Sequence, residues 1–306
     1  MADISIKETT YGQYGKCIAL SNGRVELMVT VDMGPRIIRF GFSGKENELC
    51  ENAPTTVEVG EGQWKLMGGH RLWHSPESNP RTYMPDNQPV EWREIDGGIR
   101  VIQQEEPWVQ IVKEMDIKLA SCCNKVSIVH RLTNKNAWPV ELSVWALTVM
   151  AAGGKEVVPQ PQRDTGLLAN RLVALWPYAK MNDLRVYWGD KYITLQQDAS
   201  VDTAFKLGIP NEDGWAAYFN HGNLFIKRYH HRMDAQYPDF GVSYETYTND
   251  YMVEMESLSP MTLLQPDETV AHVEEWELIE GVPVPSNDEG DIHRIVKEYI
   301  SCCGCC

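Results

Sequence analysis

The stretch from Val109 to Val149 reads VQIVKEMDIKLASCCNKVSIVHRLTNKNAWPVELSVWALTV, and it decides the fold class. Three runs of alternating or β-branched residues lie in it, at 109–119, 125–132 and 140–149. Asn124 and the Thr133–Asn136 segment separate these runs. Alternation with a period of two is typical of strands, and polar, Asn-containing breaks are typical of turns. The stretch therefore predicts an antiparallel meander.

The same pattern continues outward from this stretch in both directions. Further strand-like runs occupy 24–31, 36–42, 99–104, 184–188, 192–196, 215–220, 224–229, 241–248, 251–257 and 270–278. Asn220-His221-Gly222-Asn223 is typical of a hairpin turn, whereas an apolar stripe over 291–300 predicts a short C-terminal helix. Without helical periods between the strands, the chain predicts an all-β fold of packed antiparallel sheets. We expect residues 1–300 to form a single domain, and 301–306 to form a disordered, Cys-rich tail.

The segment 51–91 departs from this pattern. It carries Pro54, Pro76, Pro80, Pro85 and Pro89 among polar residues, so we expect it not to be mainly regular sheet. A long loop within a domain is usually functional or disordered. Its content of Trp, His and Arg favours a functional loop.

Charge and composition limit the partners. Lys and Arg total 28 against 43 Asp and Glu, and the net charge of −15 disfavours nucleic acid and anionic membranes. The segment 1–7 has no signal-peptide pattern, and no apolar run approaches the roughly 20 residues that span a bilayer. We therefore expect a cytoplasmic protein. No phosphate-binding glycine loop or zinc-ligand spacing is present, so no cofactor and no metal are predicted.

The first candidate site is the run GGHRLWHSPE at 68–77. His70 and His74 can exchange protons near neutrality, Arg71 can donate forked hydrogen bonds to hydroxyls or carboxylates, and Trp73 can stack on the apolar face of a sugar. The alternative is structural, with Arg71 paired to an acid of the same loop and Trp73 in the core.

Two other patterns are candidates. In the run YMVEMESLSP at 251–260, Glu254 and Glu256 share one face of a predicted strand, either for use in a site or for solvation. Lys227 and Arg228 belong to a basic patch that either binds an anionic group on a sugar or protects an edge strand from pairing.

Several of these motifs together resemble the galactose mutarotase-like superfamily, in a branch related to the aldose 1-epimerases. They are VDMGPRII at 31–38, GHR at 69–71, YPD at 237–239, EMESLSP at 254–260 and LQPDE at 264–268. The resemblance implies a β-supersandwich with a sugar groove across one sheet. It also implies acid-base opening and closing of a sugar ring without a cofactor.

Carried over to this sequence, the resemblance implies that Glu256 is the base and that His70 or His74 is the acid or a contact to the ring oxygen. Arg71 would anchor a hydroxyl. The family's strand with the motif Asn-His-x-Tyr-Phe corresponds here to LSVWALTVM at 142–150, which has no His, and Trp145 is expected to stack on the sugar instead.

These observations predict an aldose 1-epimerase-like isomerase acting on a free sugar or sugar acid. The first alternative is a non-catalytic carbohydrate-binding or sensing protein, which the missing strand His favours. The second is an enzyme related to the polysaccharide lyases.

Overall fold

Two large antiparallel sheets carry most of the chain. The structure is a computed structural model and describes residues 4–60 and 62–301. Within these residues the strands are β1 (Ser5–Thr10), β2 (Lys16–Ser21), β3 (Val25–Thr30), β4 (Ile37–Phe42), β5 (Glu51–Val59), β6 (Gly62–Ser75), β7 (Glu91–Ile95), β8 (Gly98–Ile102), β9 (Ile111–Leu119), β10 (Lys125–Asn134), β11 (Val140–Ala151), β12 (Lys155–Pro159), β13 (Ala174–Leu175), β14 (Val186–Trp188), β15 (Tyr192–Gln196), β16 (Phe205–Ile209), β17 (Trp215–Asn220), β18 (Asn223–Tyr229), β19 (Tyr244–Thr248), β20 (Met252–Leu258), β21 (Thr262–Leu264) and β22 (Thr269–Glu280).

Helical structure is sparse. A helical turn, α1, spans Pro238–Gly241, and α2 spans Glu289–Ile295 and continues as a π-helical turn over Val296–Ile300. Asp288 caps α2 by accepting a hydrogen bond from the backbone N–H of Asp291. The all-β class with a short C-terminal helix is therefore confirmed. Within residues 4–60 and 62–301, the structure has no helix of the length and apolarity that crossing a membrane requires.

The first sheet has the strand order β1-β2-β3-β4-β6-β11-β20-β19-β16-β13, with β5 paired to β6 and β21 paired to β11. The second sheet has the order β14-β15-β12-β17-β18-β22-β10-β9-β8-β7. The hairpin predicted at 220–223 is confirmed, because His221 and Gly222 both have positive φ between β17 and β18.

The main core lies between the two sheets. Phe40 of the first sheet packs against Phe225 and Trp276 of the second, with ring centroids 6.2 and 5.9 Å apart. A second apolar cluster lies between the outer face of the second sheet and α2, where Ile292 and Ile295 are buried. The groove described below opens on the outer face of the first sheet, away from both clusters.

The expectation that 51–91 would be mainly irregular is wrong, because β5 and β6 fill 51–59 and 62–75. Pro54 is tolerated since β5 is an edge strand that, within residues 4–60 and 62–301, pairs only with β6, and the pairing register shifts between Ala53 and Thr56, the interval that contains Pro54. The other four prolines follow β6 in the true connecting segment. The Cys-rich tail lies outside the described residues beyond Ser301.

Candidate active site

A groove crosses the outer face of the first sheet. Its floor comes from β6, β11, β20, β19 and β16, and its walls come from β5 and the segments around Tyr83 and Tyr178. Two adjoining hollows of about 190 and 410 Å³ share Val57, Glu77, Tyr83 and Trp145. Further lining residues include Trp64, Arg71, Trp73, Trp176, Lys206, Asp239, Glu245, Tyr247 and Glu254.

A backbone irregularity in β6 determines which side chains face this groove. Trp64 and Leu66 line it at even positions, whereas Arg71 and Trp73 line it at odd positions. Between the two pairs, residues 67–69 all have positive φ, at 61°, 103° and 66°. This interruption breaks the regular alternation of side chains along the strand. Even-numbered residues face the groove before it, and odd-numbered residues face the groove after it.

Gly69 is required for a second reason, which is the closeness of β4. A Cβ atom at Gly69 would lie 2.4 Å from the carbonyl oxygen of Ile37 and 2.8 Å from the Cα atom of Ile38. No larger side chain fits at that distance without moving the backbone. The glycine pair therefore permits both the reversal and the close strand approach.

Aromatic rings form one end of the groove. Trp73 contacts Trp64, Tyr83 and Trp145, with centroids 4.9, 4.9 and 5.5 Å apart. The guanidinium of Arg71 lies over the Trp73 ring at 4.4 Å from its centroid. Such a wall suits the C–H face of a pyranose ring, and Arg71 can donate to sugar hydroxyls from the same place.

Two ion-pair groups form the polar floor. Arg71 Nη1 lies 2.8 Å from Glu254 Oε1. Lys206 Nζ lies 2.7 Å from Glu245 Oε2 and 2.9 Å from Glu256 Oε2. The ammonium group also lies between the rings of two tryptophans that line the groove, Trp145 and Trp176.

Within residues 4–60 and 62–301, only one of the two carboxyl oxygens of Glu256 has hydrogen-bond partners. Its Oε2 accepts hydrogen bonds from Trp145 Nε1 and Lys206 Nζ, both at 2.9 Å. Its Oε1 is buried and has no hydrogen-bond partner among the described residues. Buried polar atoms are rarely left unsatisfied, so this oxygen has an unused acceptor position. Glu256 itself is 0% exposed and is not among the residues that line the two hollows.

Burial and neighbouring charges shift the pKa values of Glu256, Glu245 and Lys206. Burial raises the pKa of Glu256, and Lys206 opposes that rise only in part. Burial also raises the pKa of Glu245 well above its ordinary value. For Lys206, burial alone would lower the pKa, but attraction to the two carboxylates outweighs it and the pKa lies well above the usual range.

The structure brings four of the predicted site residues together. Arg71, Trp73 and Trp145 line the groove, and Glu256 is bonded to Trp145 in its floor. Trp73 and Trp145 are each only 3% exposed, so they also belong to a packed cluster. The structural interpretation of Trp73 therefore applies, with its ring also lining the groove, and Arg71 is paired with an acid from another strand.

The structure does not place His70 or His74 in the groove. Both follow the reversal in β6 at even positions and point between the sheets. His70 Nε2 lies 2.7 Å from His130 Nε2, and His70 Nδ1 lies 2.9 Å from Thr148 Oγ1. Burial lowers the pKa of both residues well below the ordinary value. This corrects the expectation that either one flanks a sugar together with Glu256.

Lys227 and Arg228 are also far from this arrangement, because they belong to β18 in the second sheet. Lys227 is fully buried between the sheets and lies 2.9 Å from Glu274. Arg228 lies on the opposite face of β18 and pairs with Glu277 at 2.8 Å. Lys227 and Arg228 therefore form no basic patch beside the groove, since alternation along β18 divides the two cations between faces.

Sequence reasoning missed Lys206 and Glu245. Lys206 is the one charged residue in the apolar run FKLGI of β16, and all five residues of that run are buried. A lone charge within a buried strand is a usable signal, because such a charge needs a partner. Glu245 had no comparable signal, since β19 reads YETYT and is polar at several positions.

Potential metal ligands lie together at one place between the sheets. In the described part of the chain, His70, His130 and Glu274 offer ligand atoms within 4.8 Å of one another. Lys227 already pairs with Glu274, and the two imidazoles lie at hydrogen-bond distance. These groups satisfy each other without a cation, so the arrangement fits a buried polar network better than a metal centre.

Comparison with known proteins identifies the fold. No protein-family profile matches the sequence, and no curated protein resembles it significantly. A galactose mutarotase-like protein from Lactobacillus casei is 9% identical, with a TM-score of 0.57 over 86% of this chain and 99% of that one. A Klebsiella pneumoniae protein assigned as an aldose 1-epimerase is 12% identical, with a TM-score of 0.58 over 96% and 86%.

A TPR-domain containing protein from Parabacteroides distasonis is also similar, at 12% identity and a TM-score of 0.61. The match covers 86% of this chain and 47% of that protein, so this chain spans about half its length. At these identities the comparisons establish the fold alone. The galactose mutarotase-like sandwich predicted from the sequence is confirmed.

Proposed function

We propose that this protein binds an aldose in the groove and interconverts its anomers, with Glu256 as the general base. The observation that carries the proposal is the buried carboxylate beneath an aromatic wall. One oxygen of Glu256 is fixed by Trp145 and Lys206, and the other has no partner among the described residues. A fixed carboxylate with one open oxygen is suited to accept the proton of an anomeric hydroxyl.

The steps follow from this placement. Glu256 takes the proton from the hydroxyl on C1, the C1–O5 bond breaks, and an aldehyde forms while O5 receives a proton. Rotation about C1–C2 and the reverse transfers close the ring with the other configuration. Arg71 donates to a hydroxyl, and Trp73 and Trp145 hold the apolar face of the ring.

The charges of the groove favour a neutral aldose over a sugar acid. Both lining cations, Arg71 and Lys206, are already in ion pairs. Glu77 and Asp239 add further carboxylates at the edge of the second hollow. A uronate or sugar phosphate would meet a net negative surface and would be repelled.

The test measures anomer equilibration by polarimetry and by NMR for α-D-glucose, α-D-galactose, a uronate and a hexose phosphate. We expect acceleration with a neutral aldose and its loss, by about 100-fold or more, in Glu256→Gln. Glu275→Gln removes an exposed carboxylate from the outer face of the second sheet and is the matched control. Wild-type protein that accelerates none of these sugars would overturn the proposal.

A second candidate is a carbohydrate-binding protein without catalysis. This candidate is favoured because the related epimerases use a histidine as the acid, whereas no histidine among residues 4–60 and 62–301 lines either hollow. The same polarimetry and NMR measurements distinguish the two functions. Saturable NMR line broadening with one sugar, without faster equilibration, would identify a binding protein.

A further inference from the structure

Glu245 and Glu256 are direct neighbours across two strands. They are Cα partners in the antiparallel pairing of β19 and β20. Directly opposite residues project to the same face of a sheet, so both carboxyl groups lie on the groove side. Glu245 lines the larger hollow, and both of its carboxyl oxygens lack a well-aligned hydrogen-bond donor.

The pair is joined by one cation. Lys206 Nζ contacts an oxygen of each carboxyl group, at 2.7 and 2.9 Å. All three side chains are almost fully buried, at 1% exposure for Glu245 and 0% for Glu256. Two carboxylates and one ammonium would leave a net negative charge in a poorly solvated site, which is costly. One additional proton on the carboxyl groups makes the cluster neutral.

The position of that proton follows from the surroundings of each carboxyl group. Trp145 Nε1 and Lys206 both donate to Glu256, which stabilises its ionised form. Glu245 has only the contact to Lys206 and meets the charge of Glu256 opposite. The proton therefore resides on Glu245, and Glu256 remains the carboxylate.

We propose that Glu245 is the general acid that protonates the ring oxygen of the aldose, with Lys206 as the positioning residue that links it to Glu256. This inference rests on the proposed function. When the ring opens, the O1–H proton passes to Glu256, and the electron pair of the C1–O5 bond accepts the Glu245 proton at O5. Ring closure returns the proton from O5 to Glu245 and the proton on Glu256 to O1. Protons and electrons balance without another reactant.

Other groups in the groove are poorer acids. Burial raises the pKa of Tyr83 and of Tyr178 far above neutrality. Lys206 is held as an ammonium by its two carboxylates. His70 and His74 face the space between the sheets. Glu245, on β19, thus supplies the proton that the strand histidine missing from β11 would have supplied.

The experiment compares wild type, Glu245→Gln and Glu275→Gln with whichever of α-D-glucose and α-D-galactose the wild type equilibrates faster. The glutamine keeps the size of the side chain but cannot release a proton. We expect kcat to fall by about 10²- to 10⁴-fold with KM nearly unchanged. A merely structural role would change KM or folding and would leave the pH dependence of the remaining activity in place.

The pH profile supplies the second readout. In the wild type, kcat should decline as pH rises through the pKa of Glu245, because its acid form is lost. The residual activity of Glu245→Gln should lack this alkaline decline. Should that variant fail to fold, the wild-type profile decides, since a kcat that does not decline on the alkaline side overturns the inference.

Failure of the inference can be told from failure of the proposed function. If the wild type accelerates no sugar, the epimerase function itself is refuted. If the wild type is active and Glu256→Gln is inactive, but Glu245→Gln keeps full kcat, the base assignment stands and the acid assignment is refuted.

Discussion

Gly69→Ala tests whether the reversal in β6 depends on glycine. The residue has φ of +66°, and an added Cβ would lie 2.4 Å from Ile37 O and 2.8 Å from Ile38 Cα. The left-handed backbone costs roughly 1–2 kcal/mol for a residue with a Cβ atom. Overpacking against backbone atoms that cannot rotate away costs about 1–3 kcal/mol more. We therefore expect the free energy of unfolding to fall by about 2–5 kcal/mol.

Gly222→Ala is the matched control. Gly222 has φ of +75° in the hairpin between β17 and β18, and a Cβ there would meet nothing within 4 Å. It should lose only the backbone part, about 1–2 kcal/mol. Equilibrium urea unfolding of both variants and the wild type gives the comparison. Equal losses in the two variants would refute the argument that the close approach of β4 demands glycine.

Two further predictions concern buried charges. Lys227→Met leaves Glu274 buried without its ion-pair partner, so we expect a loss of about 3–5 kcal/mol in urea unfolding, and a loss below 1 kcal/mol would contradict the buried pair. Burial raises the pKa of Glu156 to about 7, above its value in an unfolded chain, even though Tyr244 donates a hydrogen bond to it. Its contribution to stability is therefore greatest in acid and is lost as pH rises through 7. Glu156→Gln should remove about 2–3 kcal/mol of the wild-type decline between pH 5 and pH 8, and parallel declines in the two proteins would show that this carboxyl is not responsible.

Local pattern was sufficient for most strands. The predicted runs 192–196 and 215–220 coincide with β15 and β17, and the turn at 220–223 is the one observed. Strand and turn propensities depend on a few neighbouring residues, so they can be predicted from a single sequence. The prediction was wrong at 51–91, because a proline forbids a central strand but not an edge strand, and edge position is a property of the whole sheet.

The candidate site was predictable only in part. Arg71, Trp73, Trp145 and Glu256 were predicted from residue chemistry and family resemblance. The structure places the first three in the lining of one groove and Glu256 in a hydrogen bond with Trp145. His70 was expected there as well, because side-chain chemistry does not reveal the face of a strand.

What the sequence alone determined was therefore the all-β class, the positions of most strands along the chain and the kinds of side chain available to a candidate site. Only the tertiary structure determined which of these side chains lie in contact with one another. The irregularity at 67–69 directs Arg71 outward and His70 inward, and the glycines that permit it also permit the close approach of β4. Lys206 meets Glu256 across fifty residues of sequence. Such contacts depend on sheet order and register, which a linear pattern does not contain.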